Sequence, residues 1–179
     1  NITIFAKSFD ATYKTAKGKE INMIFTDTPG YMDFFGQVIA SARSAESGLV
    51  VVDASSGVQV GTHRAWKCCK QHGVSARGIV ITGLDKDNTG YAATLEQIRG
   101  AFGTGCVPVV LPLPDGGGVV DVLAGKDVPD AVADQVEESK MGLMELAAET
   151  DDALMEKFFE EGELAPEEVA RGLVASVAG

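Results

Sequence analysis

The sequence predicts an α/β fold with a mostly parallel sheet flanked by helices, followed by an acidic helical segment. Over the first two-thirds of the chain, short apolar runs alternate with helical patterns, which is typical of βαβ units. Two of these runs, Gly48–Asp53 and Gly78–Thr82, are bounded by turn residues and are almost continuously apolar. Because such runs are typical of strands that are covered on both sides, we expect both faces of these two strands to be buried.

The sequence pattern predicts three strands and one helix in the N-terminal third of the chain. β-branched and aromatic residues dominate the strand segments, and the turn-forming stretch Ala16-Lys17-Gly18-Lys19 between the second and third predicts a hairpin. Apolar side chains at helical spacing predict the helix. In chain order these elements are the strands Ile2–Ala6, Phe9–Thr15 and Ile21–Thr26 and the helix Asp33–Ser44.

The remaining chain continues the alternation and then becomes helical after the turn Asp115-Gly116-Gly117-Gly118. Pro166 suits the first turn of the last helix, where a missing N–H costs nothing. Besides the two apolar strands above, the predicted elements are the helices Thr62–His72 and Tyr91–Phe102, the strands Val107–Leu113 and Val119–Leu123, and the helices Asp130–Glu149, Asp151–Glu161 and Pro166–Ser176.

Charge divides the chain at the same place. Residues 1–114 carry 11 basic and 9 acidic side chains, whereas residues 115–179 carry 4 and 17, a net charge of −13. We therefore predict an α/β core over residues 1–114 and an acidic, mainly helical insertion subdomain over residues 115–179. An acidic surface does not bind nucleic-acid phosphates by charge, but it suits a basic protein surface or simply a solvated helical face.

Length and cysteine content limit the remaining possibilities. A chain of 179 residues is long enough for one domain with a real core, or one domain with an insertion. Three cysteines, two of them adjacent, do not suggest a secreted disulfide framework, so we expect a cytoplasmic protein. No apolar run is long enough to cross a membrane, and we expect no membrane partner. The sequence lacks an initiator Met and a signal-peptide pattern, so we expect its start to be trimmed.

Aspartates stand at the ends of three predicted strands, namely Asp27, Asp53 and Asp85. In a parallel sheet the carboxyl ends of strands line one edge, where ligands bind. Aspartate also ends strands simply because it starts turns, and we favour that explanation for Asp53. For Asp27 we favour function, because Thr28-Pro29-Gly30 follows directly and places a carboxylate and a flexible amide where a nucleotide phosphate and its metal would lie.

These segments resemble the G domain of elongation factor G, the ribosomal translocase. The family has Asp-Thr-Pro-Gly-His-x-Asp-Phe where this chain has Asp27–Phe34, and a Val-Val-Val-Asp-like strand where it has Gly48–Asp53. Family members then have Asn-Lys-x-Asp where this chain has Thr82-Gly83-Leu84-Asp85. The C-terminal segments 147–158 and 162–169 resemble the helical insertion of that family, which generic small GTPases lack. The resemblance covers nearly the whole chain and implies a P-loop NTPase-like G domain.

The resemblance implies a set of site residues. Asp27 would hold Mg²⁺ through water, with Thr28 and Pro29 in the same switch segment. The Gly30 amide would meet the γ-phosphate of GTP and move when that phosphate leaves. Thr82 and Asp85 would belong to the base site, where the Asp85 carboxylate would accept hydrogen bonds from guanine. GTP or GDP and Mg²⁺ are the implied ligands.

Two departures from the family motifs concern the chemistry. Tyr31 stands where the family has the histidine that orients the attacking water. A phenol is too weak a base for neutral pH, so Tyr31 either holds the water by hydrogen bonding or packs as a rim residue. Thr82-Gly83 replaces Asn-Lys in the base motif, which implies weaker guanine selectivity.

A third departure is that no Gly-x-x-x-x-Gly-Lys-[Ser/Thr] phosphate loop occurs in the sequence. Residues 1–6 resemble the strand before this loop in the family, and residues 7–13 resemble the strand after the first switch. We therefore hypothesise that the phosphate loop is missing between residues 6 and 7, and that the natural chain carries it there. A measured mass well above 18.7 kDa would support this hypothesis.

Other residue groups carry weaker signals. Cys68 and His72 share a helical face as a metal pair would, but with no second pair we favour buried packing. We assign no role to His63, and we expect Trp66 in the core or at its rim. Asp115-Gly116-Gly117-Gly118 lacks a following Lys-[Ser/Thr] and is expected to be a flexible turn.

The sequence thus predicts the GTP-binding domain of an elongation factor G-like GTPase that couples ribosome-stimulated GTP hydrolysis to translocation. The resemblance implies the ribosome as partner, including its stalk proteins at the acidic segment, with tRNA and mRNA met only through the ribosome. Two alternatives stay open: a ribosome-associated nucleotide-binding module with little or no GTPase activity, and a tetracycline-resistance-type ribosomal protection factor. A nicotinamide-binding Rossmann domain is poorly supported, because no Gly-x-Gly-x-x-Gly follows the first strand.

Overall fold

A computed structural model describes residues 3–15, 18–86, 89–114, 116–125 and 127–178. These residues form six strands and six α-helices in an α/β arrangement. In chain order the elements are β1 (Lys7–Lys14), β2 (Glu20–Asp27), α1 (Phe35–Ala42), β3 (Ser47–Asp53), α2 (Val60–Gln71), β4 (Ala76–Thr82), α3 (Tyr91–Phe102), β5 (Val110–Pro112), β6 (Val119–Asp121), α4 (Ala133–Ala148), α5 (Asp152–Glu161) and α6 (Pro166–Ala178).

The described strands pair as three two-stranded sheets. β1 and β2 form the predicted antiparallel hairpin, in which Lys7 lies opposite Asp27, and the turn residues 16 and 17 lie outside the described part of the chain. β3 and β4 are joined through α2 and pair side by side. The Ala54 N–H, just after β3, donates to the Thr82 carbonyl at the end of β4 at 2.8 Å, so the two carboxyl ends are neighbours and the strands run parallel.

The expected burial of β3 on both faces is wrong. Val50 is 6% and Val52 is 1% exposed, whereas Leu49 and Val51 between them are 63% and 61% exposed. The buried side of β3 packs near α2, where Cys69 Sγ would lie 3.0 Å from a Cβ at Gly48. Side chains at residues 49–52 of β3 therefore alternate between a buried and an exposed face, although all four are apolar.

The predicted strand Ile2–Ala6 is also wrong over the residues that the structure describes. Residues 3–6 have no strand conformation, and Ile4 and Phe5 are exposed. Their backbone gains one long contact, in which the Ala6 N–H donates to Gln37 Oε1 at 3.4 Å. Without a neighbouring strand to complete its hydrogen bonds, an extended segment has no ladder to hold it.

Two predicted strands are shorter than expected, for local reasons. β5 begins only at Val110, because Pro108 has no N–H to donate to a ladder. β6 ends at Asp121, whose carboxylate accepts the N–H groups of Leu123 and Ala124, both at 2.9 Å, and so turns the chain.

The helices follow the predicted segments closely. α1 and α4 are each preceded by a 3-10 turn, Met32–Phe34 and Asp130–Val132, within or beside the predicted ranges. α5 begins where the Asp151 carboxylate accepts the Ala153 N–H at 2.8 Å, and it ends at Gly162 in the left-handed conformation. No helix among the described residues is long and apolar enough to cross a membrane.

The chain forms two compact units, one comprising Asn1–Val50 with Gln59–Gly78 and the other Val51–Val58 with Ile79–Gly179. In the first unit, Ala42, Cys68 and Val74 form a small core, so Cys68 is packed rather than displayed. The guanidinium carbon of Arg77 lies over the Trp66 ring, 5.0 Å from the centroid of that ring. In the second unit, one core joins β5 and β6 to α4, and another joins α4, α5 and α6.

Candidate functional site

The predicted phosphate-switch segment follows β2 in the first unit. Asp27 is the last residue of this strand, and its side chain is exposed. The Thr3 hydroxyl donates to Asp27 Oδ2 at 3.5 Å, a long contact that leaves the carboxylate free to take other ligands. The strand therefore delivers a carboxylate to solvent at its carboxyl end, as the sequence predicts.

The next three residues, Thr28, Pro29 and Gly30, differ in how far they are buried. Pro29 is buried and Thr28 is half-buried, whereas Gly30 is exposed. Gly30 has no left-handed φ, and nothing lies within 4 Å of a Cβ added to it. The observed conformation thus gives no steric reason for glycine at position 30.

Tyr31 begins the 3-10 turn that leads into α1. Its backbone is extended, with φ −80° and ψ 139°, and its carbonyl accepts the Phe34 N–H at 3.1 Å. The side chain is 57% exposed, and no described residue hydrogen-bonds its hydroxyl. A water-holding role for Tyr31 stays a prediction, since an exposed phenol suits that role and a rim position equally.

Of the two predicted base-contacting residues, Thr82 ends β4 and Asp85 lies on the turn that follows, both in the second unit. The Lys86 N–H donates to the Gly83 carbonyl at 3.3 Å, which closes a turn with Asp85 at its third position. Thr89 Oγ1 donates to the carbonyls of Lys86 and Leu84, at 2.8 and 3.3 Å. The Asp85 side chain is exposed and has no hydrogen-bond partner within the described part of the chain.

Asp53 has a larger role than the turn that the sequence suggested. The turn is present, because Asp53 Oδ1 accepts the Ser55 N–H at 2.9 Å and the Asp53 carbonyl accepts the N–H of Gly57. In addition, Asp53 Oδ2 forms an ion pair with Lys86 Nζ. Lys86 and, to a smaller degree, Ser55 lower the pKa of Asp53 from 3.8 to about 2, so the carboxylate is ionised at every physiological pH.

Sequence reasoning missed Lys86 as a partner of Asp53. The available signal was its place directly after Asp85, at the end of the strand that follows β3 in the chain. Adjacent parallel strands bring their carboxyl ends together, so an acid after one and a base after the next are candidates for an ion pair. The expectation that Asp27 and Asp85 share one sheet edge stays a prediction, because they belong to different units.

The chemistry of Asp27 fits the predicted Mg²⁺ ligand. Mg²⁺ bound with a nucleotide usually takes one or two carboxylates, and phosphate and water oxygens complete its shell. Asp27 offers one exposed carboxylate, with the Thr3 hydroxyl beside it. Among the described residues, no group of three or more His, Cys, Asp or Glu side chains forms a metal site of protein ligands alone.

Comparison with known proteins places these features in a family. Residues 1–175 match the family of the elongation factor Tu GTP-binding domain, so the chain belongs to that family. This match supports the predicted α/β G-domain fold and implies guanine-nucleotide binding by a domain of the translational GTPase class.

A solved structure with a similar fold is the crystal structure of the protein ttk003000868 from Thermus thermophilus. The two chains are 30% identical, with a TM-score of 0.83, and the match covers 99% of this chain. It covers 28% of the Thermus chain, so this chain spans just over a quarter of the length of that relative.

Proposed function

We propose that this chain is the GTP-binding domain of an elongation factor G-like translational GTPase, which couples GTP hydrolysis to the movement of tRNA and mRNA on the ribosome. The observation that carries the proposal is Asp27-Thr28-Pro29-Gly30 at the carboxyl end of β2, in a chain that matches the GTP-binding family over residues 1–175. The cytoplasm, where ribosomes work, is the corresponding location.

In this proposal the residues of the first unit respond to the γ-phosphate. The Asp27 carboxylate would hold Mg²⁺ through water, and the ion would neutralise phosphate charge. The Gly30 N–H donates to a γ-phosphate oxygen and loses this acceptor after hydrolysis. The Tyr31 hydroxyl accepts a hydrogen bond from the attacking water and orients it without removing its proton.

The second unit supplies base recognition in this proposal. The Asp85 carboxylate accepts hydrogen bonds from N1–H and the 2-amino group of guanine, which adenine cannot donate. Its exposed, unpartnered position on the turn, within the part of the chain that the structure describes, leaves both oxygens available. The strongly acidic residues 115–179 then provide a surface for basic partners on the ribosome, among which the stalk proteins are our candidates.

The proposal is tested on the full-length protein. Binding is measured by titration with GTP, GDP and ATP analogues, and the rate of GTP hydrolysis is then measured with and without ribosomes. We expect guanine nucleotides to bind in preference to ATP, and ribosomes to raise the turnover of GTP. Failure to bind any nucleotide would reject the proposal.

One observation favours the alternative of a nucleotide-binding module with weak GTPase activity. Tyr31 occupies the position of the family's water-orienting histidine, and it has no described hydrogen bond that would fix its ring. If this alternative holds, guanine nucleotides bind but ribosomes do not raise turnover, and Tyr31→His raises ribosome-stimulated turnover above that of the wild type.

A further inference from the structure

The turn that carries Asp85 is held from three sides. On its N-terminal side, the Thr82 carbonyl accepts the Ala54 N–H at 2.8 Å. On its C-terminal side, the Thr89 hydroxyl donates to the Lys86 carbonyl at 2.8 Å. From β3, the Asp53 carboxylate binds Lys86 Nζ at 2.5 Å, and Ser55 in turn fixes that carboxylate. The first two ties each involve a backbone atom. Of the three, among the described residues, only the ion pair joins two side chains, one after β3 and one after β4.

Gly83 lies directly beside the ion pair. Its φ is +72°, a left-handed conformation that L side chains rarely adopt. A Cβ at this position would lie 3.1 Å from both Asp53 Oδ1 and Lys86 Nζ, so any side chain would crowd the pair. The left-handed φ by itself favours glycine at position 83, and the missing side chain also leaves room beside the ion pair.

The ion pair has little value for stability alone. The side chains of Lys86 and Asp53 are 50% and 41% exposed, and pairs of this kind contribute little because water already solvates both charges. The ion pair does, however, tie the residue directly after Asp85 to the end of β3. The carboxylate of Asp85 thus stands on a turn to which this ion pair is one of three ties.

We propose that Lys86 and Asp53 are positioning residues that orient the Asp85 carboxylate toward the N1–H and 2-amino groups of a guanine base. The proposal rests on the proposed function, since it assigns the orientation of the same base site. A carboxylate that accepts two hydrogen bonds from one base edge needs a fixed orientation, whereas a single hydrogen bond tolerates more rotation.

The test compares GDP with IDP, because hypoxanthine keeps N1–H and lacks the 2-amino group. Affinities for both nucleotides are measured by competition against a fluorescent nucleotide on the full-length protein. We expect the wild type to prefer GDP over IDP by about tenfold or more, the worth of a hydrogen bond to a charged group. Lys86→Gln and Asp53→Asn are each expected to lower this ratio by roughly three- to tenfold, because the second hydrogen bond becomes poorly aligned.

Matched variants separate positioning from general damage. Asp53→Asn keeps an oxygen that accepts the Ser55 N–H, and Lys86→Arg keeps the charge and is expected to restore most of the ratio. Asp121→Asn alters a similar turn after β6, and Lys67→Gln removes an exposed lysine of α2, so both should keep the wild-type ratio. A structural role alone would lower the affinities for GDP and IDP together and leave their ratio unchanged.

The outcomes distinguish the two proposals. If the wild type binds neither nucleotide, the proposed function fails and the positioning role fails with it. If the wild type prefers GDP but Lys86→Gln and Asp53→Asn keep its ratio, only the positioning role is overturned. A loss of the ratio in Asp121→Asn equal to that in Asp53→Asn would also overturn it.

Discussion

Tyr31 is the residue on which the hydrolysis step depends in the proposed function. Its side chain is 57% exposed and has no described hydrogen bond, so removing its hydroxyl should not affect folding. We expect Tyr31→Phe to lower ribosome-stimulated kcat by about tenfold, the worth of one neutral hydrogen bond to the water, with nucleotide affinity unchanged. Single-turnover hydrolysis on ribosomes measures this, and an unchanged rate would mean that Tyr31 is a rim residue.

A second prediction for a single residue concerns the pKa of Asp53 and the stability of the protein at low pH. The folded pKa of Asp53 is lowered to about 2, below its ordinary value of 3.8, chiefly by Lys86. Its contribution to stability is therefore fully present above about pH 3.8 and is lost as the pH falls through about 2. We expect Lys86→Gln to raise the pKa of Asp53 toward 3.8, as followed by the carbon-13 shift of its carboxyl group. Asp121 in the same sample is the reference, and an unmoved Asp53 pKa would contradict the ion pair.

Among the helices, the crossing of α4 and α6 depends on Gly172. A Cβ at this position would lie 2.5 Å from the Ala147 carbonyl oxygen and 2.7 Å from Ala147 Cβ, so the two helices would have to separate. We expect Gly172→Ala to destabilise the protein by about 1–3 kcal/mol, in spite of the better helix propensity of alanine. Urea unfolding measures the change.

The control for this variant is Gly100 in α3, where nothing lies within 4 Å of an added Cβ. Gly100→Ala should be neutral or stabilise the protein by up to about 1 kcal/mol, because only the propensity term acts there. A Gly172→Ala variant as stable as Gly100→Ala would show that the helices do not pack as closely as described.

The elements also show how far the sequence could predict this fold. α3 occupies Tyr91–Phe102 as predicted, because Gly90 and Gly103 bound its helical pattern on both sides. The two faces of β3 could not be told apart, because Leu49 and Val51 are as apolar as the buried valines between and after them. The Asp53–Lys86 pair joins residues 33 apart, so it required the knowledge that β3 and β4 are neighbours. The motif Asp27–Gly30, by contrast, was visible because its chemistry lies within four consecutive residues.

For the whole molecule, charge and compactness give different divisions of the chain. The charge pattern predicts a boundary at residues 114 and 115, whereas the two compact units exchange segments at Val50 and Gly78. The core that joins Leu111 and Val120 to α4 contains residues from both sides of the predicted boundary. Composition describes solvent-facing side chains, which carry the charge, and compactness describes buried ones, so the two need not agree. The predicted insertion subdomain over residues 115–179 stays a prediction.

The whole-molecule prediction that bears most directly on function concerns the phosphate loop hypothesised between Ala6 and Lys7. If the natural chain carries this loop, a tryptic digest of the full-length protein contains no peptide in which Phe5, Ala6 and Lys7 are consecutive, whereas the peptide of residues 8–14 is present as an internal control.

With the loop, the protein has amides and a lysine for the nucleotide phosphates, and GDP at a hundred times its Kd should stabilise it by about 2.7 kcal/mol in thermal unfolding. ADP at the same concentration should stabilise it far less, since adenine lacks the N1–H and 2-amino donors that guanine offers to Asp85. A digest with consecutive Phe5-Ala6-Lys7, together with no stabilisation by GDP, would show that the chain lacks the loop and does not hold a nucleotide through it.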